Sequence, residues 1–404
     1  MILPDLKTFL AKHWQTKPLL VRQAFPHFQP LLSADELITL AGQDEVESRL
    51  IQQRTRKAST NWQLDQGPFD AEDIPSIKRK HWTLLVQGVD LHHDAIHKLL
   101  HEFRFISDAR LDDVMISLAG DQGGVGPHYD SYDVFLLQAW GRREWRVGPL
   151  HNRHLKPDQP LKILADFQPT QTWLLEPGDM LYVPPGWGHD GIARGPCMTY
   201  SIGFRTPSKA EFLQAYFNDL SDSVTHNNQA IEARAKAICA EAGQAQTSRA
   251  NPISHFYTDP KPSKPVNPAE IPANMLKTLG IWARQAKPTK EHTEDFIGRF
   301  LSEPKPNVWF QAPKKPLSQA KFELTASING VALSRASRLH LRSKGASEGS
   351  VFFNGQQHSF HGKAWALLSE LAQNRSIVAP KQLVDPQIGV YLYGAYTSGW
   401  LHLL

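Results

Sequence analysis

Two histidines and one aspartate in this chain have the types and spacing of a metal site. His128 and Asp130 lie two residues apart, so on a strand both side chains point to the same face. The third ligand must come from a distant part of the fold, and His189 stands just beyond the rigid Pro184-Pro185-Gly186 turn. Two imidazoles and one carboxylate can hold a non-haem Fe(II) by one face, leaving positions for a bidentate cosubstrate and for O2. The pattern therefore predicts an Fe(II) oxygenase, with zinc as the alternative metal.

The basic residue Arg143 indicates which cosubstrate such a site would bind. It begins a predicted strand shortly after the first two ligands. A 2-oxoglutarate-type cosubstrate chelates iron through its keto acid and needs a buried cation for its distal carboxylate, which arginine binds with two parallel hydrogen bonds. Ser117 and Met115 are in phase on another predicted strand, and we assign both to the same cosubstrate pocket. The alternative for Ser117 is a core serine that bonds to the backbone.

The elements that must position these residues are short strands. Between residues 111 and 205 the sequence alternates apolar runs with Gly, Pro and Asp turns. Many short strands at regular spacing are typical of a jelly roll, here a cupin-type double-stranded β-helix in an α+β protein. The candidate strands are residues 114–118, 134–137, 144–147, 172–175, 180–183 and 198–202.

The rest of the chain mixes helices with a few strands. Near the N-terminus the capping box Ser33–Glu36 opens a helix that Gly42 should close. A second capping box, Ser208–Glu211, opens a helical region over 208–245, and more helix is predicted over 273–301. The last hundred residues combine predicted strands at 351–353 and 390–393 with a helix around residues 364–373, a pattern typical of a small winged-helix-like unit. We therefore expect a catalytic domain at 1–206 with its barrel core at about 106–206, a helical domain at 207–302 and a winged-helix-like domain at 303–404.

The composition is that of a soluble globular protein. A length of 404 residues and a net charge of +4 fit two or three domains, and they neither require nor exclude a partner near nucleic acid. With only Cys197 and Cys239, no disulfide framework is indicated, which favours a reducing cytosol. The N-terminus lacks a basic region followed by an apolar run, and no window has the length of a membrane span. We therefore expect a cytoplasmic protein without a membrane segment.

Three motifs resemble those of a known family. They are Val125-Gly126-Pro127-His128-x-Asp130, Gly141-Arg142-Arg143-x-Trp145 and Tyr182-x-Pro184-Pro185-Gly186-x-x-His189. Together they resemble the JmjC-type ribosomal oxygenases, in particular the bacterial branch that acts on an arginine of a 50S ribosomal protein. A further matching stretch is Glu47-Ser48-Arg49-Leu50. The motifs cover the first two hundred residues, and beyond them the resemblance depends on domain order.

This resemblance implies a function and a domain organisation. It implies an Fe(II)- and 2-oxoglutarate-dependent hydroxylase that uses O2 and acts on an arginine β-carbon of a large-subunit ribosomal protein. His128, Asp130 and His189 match the iron ligands, and Arg143 matches the residue that binds the distal carboxylate of 2-oxoglutarate. It also implies a helical dimerisation domain, hence a homodimer, and a C-terminal winged helix. The sequence departs from generic cupins at the position four residues after His189, where Ala193 replaces the usual asparagine. In addition, no glutamate follows Asp130 as a fourth metal ligand.

The substrate side chain would be a guanidinium, which requires a carboxylate and hydroxyl partners near the metal. Asp113 is in phase with Met115 on one predicted strand, and Tyr132 is in phase with Asp130 on another. We expect Asp113 and Tyr132 to bind the substrate, with Ser201 as a third contact. The alternative for Asp113 is a structural carboxylate near a turn.

Three other interpretations stay open. A JmjC-type demethylase, or a hydroxylase of another protein target, would share the metal site. A nucleic-acid-binding regulator would instead use the C-terminal unit and keep the barrel as a ligand sensor. Its candidate basic residues are Arg335, Arg338, Arg342 and Lys344. The helix around 364–373 is poor in basic residues, so direct nucleic-acid binding is not expected. The third is a metal-binding cupin without catalysis, against which Arg143 argues.

Overall fold

The computed structural model describes residues 1, 5–56, 59–222, 288–378 and 386–404. The chain divides into two compact units. The first comprises Met1–Thr206, Pro304–His340 and Ala366–Leu404, and the second comprises Pro207–Glu303 and Leu341–Trp365. Every helix among the described residues is too short or too polar to cross a lipid bilayer. Each unit combines segments from two of the three predicted domains, so the units do not correspond to those domains one by one. The three-domain division stays a prediction.

The first unit begins with helices and strands that precede the barrel. They are α1 (Leu6–Lys12), β1 (Leu19–Val21), α2 (Ala34–Ala41), β2 (Ser48–Arg56), β3 (Ser59–Gln66), β4 (Trp82–Val86), a 3-10 turn (Val89–Leu91) and α3 (Asp94–His101). The capping box at Ser33 is confirmed, since its side chain accepts from the Glu36 N–H while the Glu36 carboxylate accepts from the Ser33 N–H. The β2–β3 hairpin was not predicted, because its strands are rich in polar residues.

All six strands predicted between residues 114 and 202 are confirmed. The barrel strands are β5 (Leu111–Ala119), β6 (His128–Tyr129), β7 (Val134–Trp140), β8 (Arg143–Pro149), β9 (Gln171–Leu175), β10 (Met180–Val183), β11 (Trp187–Ala193) and β12 (Cys197–Phe204). One sheet has the order β1-β10-β7-β12-β5-β4-β2-β3 and the other has β6-β11-β8-β9. Two antiparallel sheets of this kind form the double-stranded β-helix expected from the sequence.

Strand β5 separates a helix-covered core from the barrel interior. Its residues Val114, Ile116 and Leu118 pack in the large core with residues of α2 and α3. Because side chains alternate across a strand, Asp113, Met115 and Ser117 lie on the opposite face. Met115 packs there against Ile51, Trp62, Leu85 and Ile163.

The C-terminal part of the first unit contains α6 (Gln319–Asn329), β13 (Val331–Leu333), β17 (Ser376–Ile377), α8 (Pro386–Thr397) and β18 (Leu401–Leu403). The three strands form a small sheet in the order β17-β13-β18. The strand predicted at 390–393 is wrong, because these residues belong to α8. Ile388, Leu392 and Ala395 are buried at helical spacing, so packing overrides the β-branched and aromatic character of the segment.

The second unit contains α4 (209–222), α5 (Lys290–Ser302), β15 (Glu348–Phe353) and β16 (Gln356–His361), while β14 (Leu339–Gly345) and α7 (Gly362–Asn374) run across the division. The capping box at Ser208 is confirmed: its hydroxyl accepts from the Glu211 N–H at 3.0 Å. Phe212 packs edge-on against Phe296 and Phe300, which joins α4 to α5. The remainder of the predicted helices, 223–245 and 273–287, lies outside the described residues.

Candidate active site

The structure brings His128, Asp130 and His189 together, with one ligand atom from each within 4.8 Å of the others. His128 on β6 is the direct cross-strand partner of His189 on β11, and their ring centroids lie 4.2 Å apart. Strand β6 ends at Tyr129, so Asp130 follows the strand and does not lie on it as predicted. Its Oδ2 nevertheless lies 3.5 Å from His189 Nε2. The three side chains could therefore hold one metal ion.

Backbone carbonyls orient both imidazoles. His128 Nδ1 lies 2.9 Å from the Gly126 carbonyl, and His189 Nδ1 lies 3.5 Å from the Trp187 carbonyl. Because a carbonyl can only accept, Nδ1 of His128 must carry the proton, which leaves Nε2 free for a metal. Burial, followed by the charge of His128, lowers the pKa of His189 to about 4. His189 is therefore neutral at neutral pH, the form that binds a metal.

Local backbone features place the ligands. Gly126 has φ +78°, and a Cβ there would come within 2.7 Å of Ile163, so only glycine fits two residues before His128. The loop that carries Asp130 is fixed by Asp133, which is fully buried. Its carboxylate accepts from Tyr182 Oη at 2.6 Å and from Arg110 Nη2 at 3.2 Å.

Arg143 is a buried cation with unused hydrogen-bond donors. It is 4% exposed, and its Nη1 donates to Ser117 Oγ at 3.2 Å. Its Nε and Nη2 are buried without a hydrogen-bond partner. Among the side chains that the structure describes, no carboxylate forms an ion pair with it. An unpaired buried guanidinium is costly, so this arrangement fits the distal carboxylate of a dicarboxylic acid.

The remaining predicted pocket residues cluster on the inner face of the large sheet. Ser201 on β12 is the cross-strand partner of Met115 on β5, and both are in phase with Ser117. Tyr132 follows Asp130 in the same loop and is 39% exposed. Partial burial, followed by the charges of Asp130 and Asp113, raises the pKa of the Tyr132 phenol. Tyr132 is therefore a neutral hydroxyl that can donate a hydrogen bond.

Asp113 lies on this face but already has partners. Its Oδ2 accepts from Gln87 Nε2 at 2.7 Å and from Lys305 Nζ at 2.9 Å. Lys305 also lies 2.9 Å from Asp112 Oδ1. Burial lowers the pKa of Lys305, but the charges of Asp113 and Asp112 outweigh it and hold the pKa above its usual value. The structure thus places a cation on the carboxylate predicted to bind one.

Three residues around Asp113 were not predicted from the sequence. Lys305 is 192 positions away, so no local pattern indicates the contact. Gln87 is a single polar residue after β4, without a motif. Arg49 lies in the stretch Glu47-Ser48-Arg49-Leu50, which resembles the family, and this resemblance was the one sequence signal that could have indicated it. Its Nη2 donates to Gln87 Oε1 at 3.3 Å and lies 4.0 Å from Met115 Sδ.

The four basic residues considered for nucleic acid all contact carboxylates. In the first unit Arg335 pairs with Asp94 at 2.6 Å, and Arg338 pairs with Asp112 at 3.4 Å. In the second unit Arg342 pairs with Asp295 and Lys344 with Glu291, both at 2.6 Å. These charges are partly neutralised within the protein, which weighs against a basic recognition surface made from them.

Known proteins share similarity with both the barrel region and the C-terminal region of this chain. A JmjC domain model matches residues 98–212, and a ROXA-like winged helix model matches residues 282–402. The chain is 32% identical over 397 residues to the ribosomal protein uL16 3-hydroxylase of Escherichia coli, covering 97% of this chain and 96% of that protein. It is 33% identical over 215 residues to a probable ribosomal oxygenase of Haemophilus influenzae, covering 52% of each.

Solved structures show the same similarity over the whole chain. The X-ray structure of E. coli ycfD has a TM-score of 0.78 at 29% identity and covers 100% of this chain and 99% of that one. The structure of YcfD, a ribosomal oxygenase from E. coli, in complex with cobalt and 2-oxoglutarate has a TM-score of 0.75 at 29% identity, covering 99% and 98%. By its fold, its motifs and its similarity to a relative across nearly the whole length, the chain belongs to the JmjC ribosomal oxygenase family.

Proposed function

We propose that this protein is an Fe(II)- and 2-oxoglutarate-dependent hydroxylase of an arginine β-carbon in ribosomal protein uL16. The observation that carries the proposal is Arg143: a buried guanidinium with two unpartnered nitrogens in the barrel that holds the His128, Asp130 and His189 cluster. A metal site alone would fit zinc as well. A metal site with a cation for a distal carboxylate specifically supports 2-oxoglutarate.

In this proposal each residue has a defined role. His128, Asp130 and His189 hold Fe(II), and Arg143 binds the distal carboxylate of 2-oxoglutarate with Ser117 beside it. Met115 forms part of the apolar wall of the pocket. When bound, Fe(II), 2-oxoglutarate and O2 supply the oxidising chemistry that an unactivated C–H bond requires. The side chains of the protein orient the reactants and exclude water.

The proposed substrate group is a guanidinium bound by Asp113, Tyr132 and Ser201. Lys305 supports this assignment, because its ammonium already lies between Asp112 and Asp113 at 2.9 Å from each carboxylate. The carboxylate pair is thus suited to a cation, and an incoming arginine must share it with Lys305 or displace Lys305. Tyr132 and Ser201 offer neutral hydroxyl groups for the remaining guanidinium hydrogens.

The identity of the target protein rests on similarity. The E. coli relative is named a uL16 3-hydroxylase, and this chain matches 96% of its length. A ribosomal substrate would place the reaction in the cytoplasm. The test is mass spectrometry of uL16 after incubation with the protein, Fe(II), 2-oxoglutarate and air. The proposal predicts the gain of one oxygen atom on an arginine, and an unchanged uL16 or the loss of a methyl group from uL16 would contradict it.

We also propose that the protein is a homodimer formed through its helical segments. In the second unit Phe212 and Tyr216 pack inward against Phe296, whereas Phe217 on the same helix is 61% exposed. Large exposed aromatic residues commonly mark protein interfaces. Light scattering should give twice the chain mass for the wild type, and Phe217→Glu should shift it towards the monomer. A monomeric wild type would contradict the proposal.

A further inference from the structure

A large groove in the first unit has Asp113 in its wall. Its volume is about 890 Å³. One side is formed by residues close to the β2 hairpin and the end of β4, including Glu45, Glu47 and Gln87, and another side is formed by the segment from Lys305 to Gln311. Asp113 is therefore shared between this groove and the β5 face that carries Met115 and Ser117. A segment lying in the groove would therefore run beside the carboxylate that is proposed to bind the target guanidinium.

The groove has negative charge available to a partner. Its two cations, Lys305 and Arg335, are already paired with Asp113 and Asp94 respectively. Glu45 is exposed and has no ion pair among the residues that the structure describes. Glu47 is exposed as well, and its nearest cation, Arg49 Nε, lies 3.9 Å from Glu47 Oε1. A segment that carries lysine or arginine would complement these two carboxylates.

The groove also has a solvent-exposed aromatic residue in its wall. Trp309 lines it and is 81% exposed, more than any other large hydrophobic side chain that the structure describes. Exposing an indole to water to this extent is unfavourable, and tryptophan is among the residues that contribute most to binding at protein interfaces. It lies four positions after Lys305, on the same segment that contacts Asp113.

We infer that this groove binds an extended, basic segment of the substrate protein on one side of the target arginine. Trp309 packs on an apolar or aliphatic part of that segment, and Glu45 and Glu47 pair with its cations. The target arginine places its guanidinium at Asp113 and its β-carbon at the metal site. The inference rests on the proposed function, and it adds the surface that selects the protein substrate. Binding energy obtained away from the reacting carbon lowers KM, with little effect on kcat when ground and transition states share it.

The experiment compares uL16 turnover and uL16 binding for Trp309→Ala, the double variant Glu45→Gln with Glu47→Gln, and two matched controls. Leu324→Ala removes a side chain that is 62% exposed and lies outside the groove. Glu370→Gln neutralises an exposed carboxylate that also lies outside it. We expect Trp309→Ala to raise KM and Kd for uL16 about thirtyfold, the size of an interface hot spot. We expect the double variant to raise them about threefold at low salt and less at high salt. Both controls, and the KM for 2-oxoglutarate, should be unchanged.

The outcomes separate this inference from the proposed function. Normal hydroxylation with an unchanged KM and Kd in Trp309→Ala would overturn the groove assignment alone. If the wild type binds uL16 without hydroxylating it, and Trp309→Ala weakens that binding, the proposed function is overturned and the groove assignment is supported. No binding of uL16 to the wild type would overturn both. A Trp309→Ala variant that changes only the oligomeric state would identify the groove as a contact between copies of this chain, which also overturns the inference.

Discussion

Lys305 Nζ lies 2.9 Å from Oδ2 of Asp113, a residue that is 5% exposed. The pair joins the segment after α5 to the edge of the catalytic barrel within the first unit. Removing one partner of a largely buried pair leaves the other charge without compensation. The contact therefore contributes to the stability of the first unit, and it also controls the charge that a substrate guanidinium would meet.

Lys305→Met should destabilise the first unit by roughly 1–3 kcal/mol, since a largely buried carboxylate loses its cation. Adding Asp113→Asn should cost less than the sum of the single changes, because the uncompensated charge is removed. Denaturant unfolding of the two single variants and the double variant gives the coupling directly. Lys315→Met, at an exposed lysine of the same segment, is the control. Strict additivity would contradict the structural role of the pair.

Arg143 should control the affinity for 2-oxoglutarate and leave the metal site intact. Arg143→Met removes the donors that face the proposed distal carboxylate and should raise the KM for 2-oxoglutarate at least about tenfold. Ser117→Ala should raise it less, because the change removes a neutral hydroxyl beside Arg143 and leaves the charged group in place. Metal binding, followed by calorimetry with Co(II), should be unchanged in both variants. An unchanged KM for 2-oxoglutarate in Arg143→Met would show that the cosubstrate lies elsewhere.

The buried carboxyl of Asp90 should make stability depend on pH. Burial, followed by the charge of Asp113, raises the pKa of Asp90 from 3.8 to about 7. The folded protein thus keeps a proton that the unfolded chain releases above pH 3.8, so stability is lost as pH rises from 3.8 to about 7. The Oδ1 atom of Asp90 accepts a hydrogen bond from the Val114 N–H at 2.8 Å. Asp90→Asn keeps a side-chain oxygen that can accept the same hydrogen bond.

We therefore expect Asp90→Asn to be more stable than the wild type by about 1 kcal/mol or more at pH 8, and to lose this advantage near pH 4. The measurement is denaturant unfolding of both proteins at the two pH values. Asp108→Asn, which replaces a partly buried partner of Arg104, should not show this pattern. A stability difference that is the same at both pH values would contradict the raised pKa.

The ligand triad was predictable from the sequence because each part has a local signal. His128 and Asp130 share a short spacing, and a distinctive Pro-Gly turn precedes His189. The phase of Asp113, Met115 and Ser117 was predictable as well, since side chains alternate on a strand and β5 is regular.

Contacts between distant segments could not be predicted in this way. Neither Lys305 nor Trp309 belongs to a motif, and only the fold of the first unit brings their segment to Asp113. The segment 390–393 shows a related limit. Valine and tyrosine favour strands locally, but burial of Ile388 and Leu392 on one side fixes a helix. Periodicity over a longer window would have been the better guide.

The most direct test of the proposed function is the ratio of succinate formed to uL16 arginine hydroxylated, measured in one reaction for the wild type and His128→Ala. The wild type should form about one succinate per hydroxylated arginine at saturating uL16, because the two oxidations are coupled. His128→Ala should form neither product, since it removes a ligand from the only His/Asp/Glu/Cys metal cluster among the described residues. Coupled turnover by His128→Ala would contradict the account, as would succinate formation by the wild type that never oxidises an arginine.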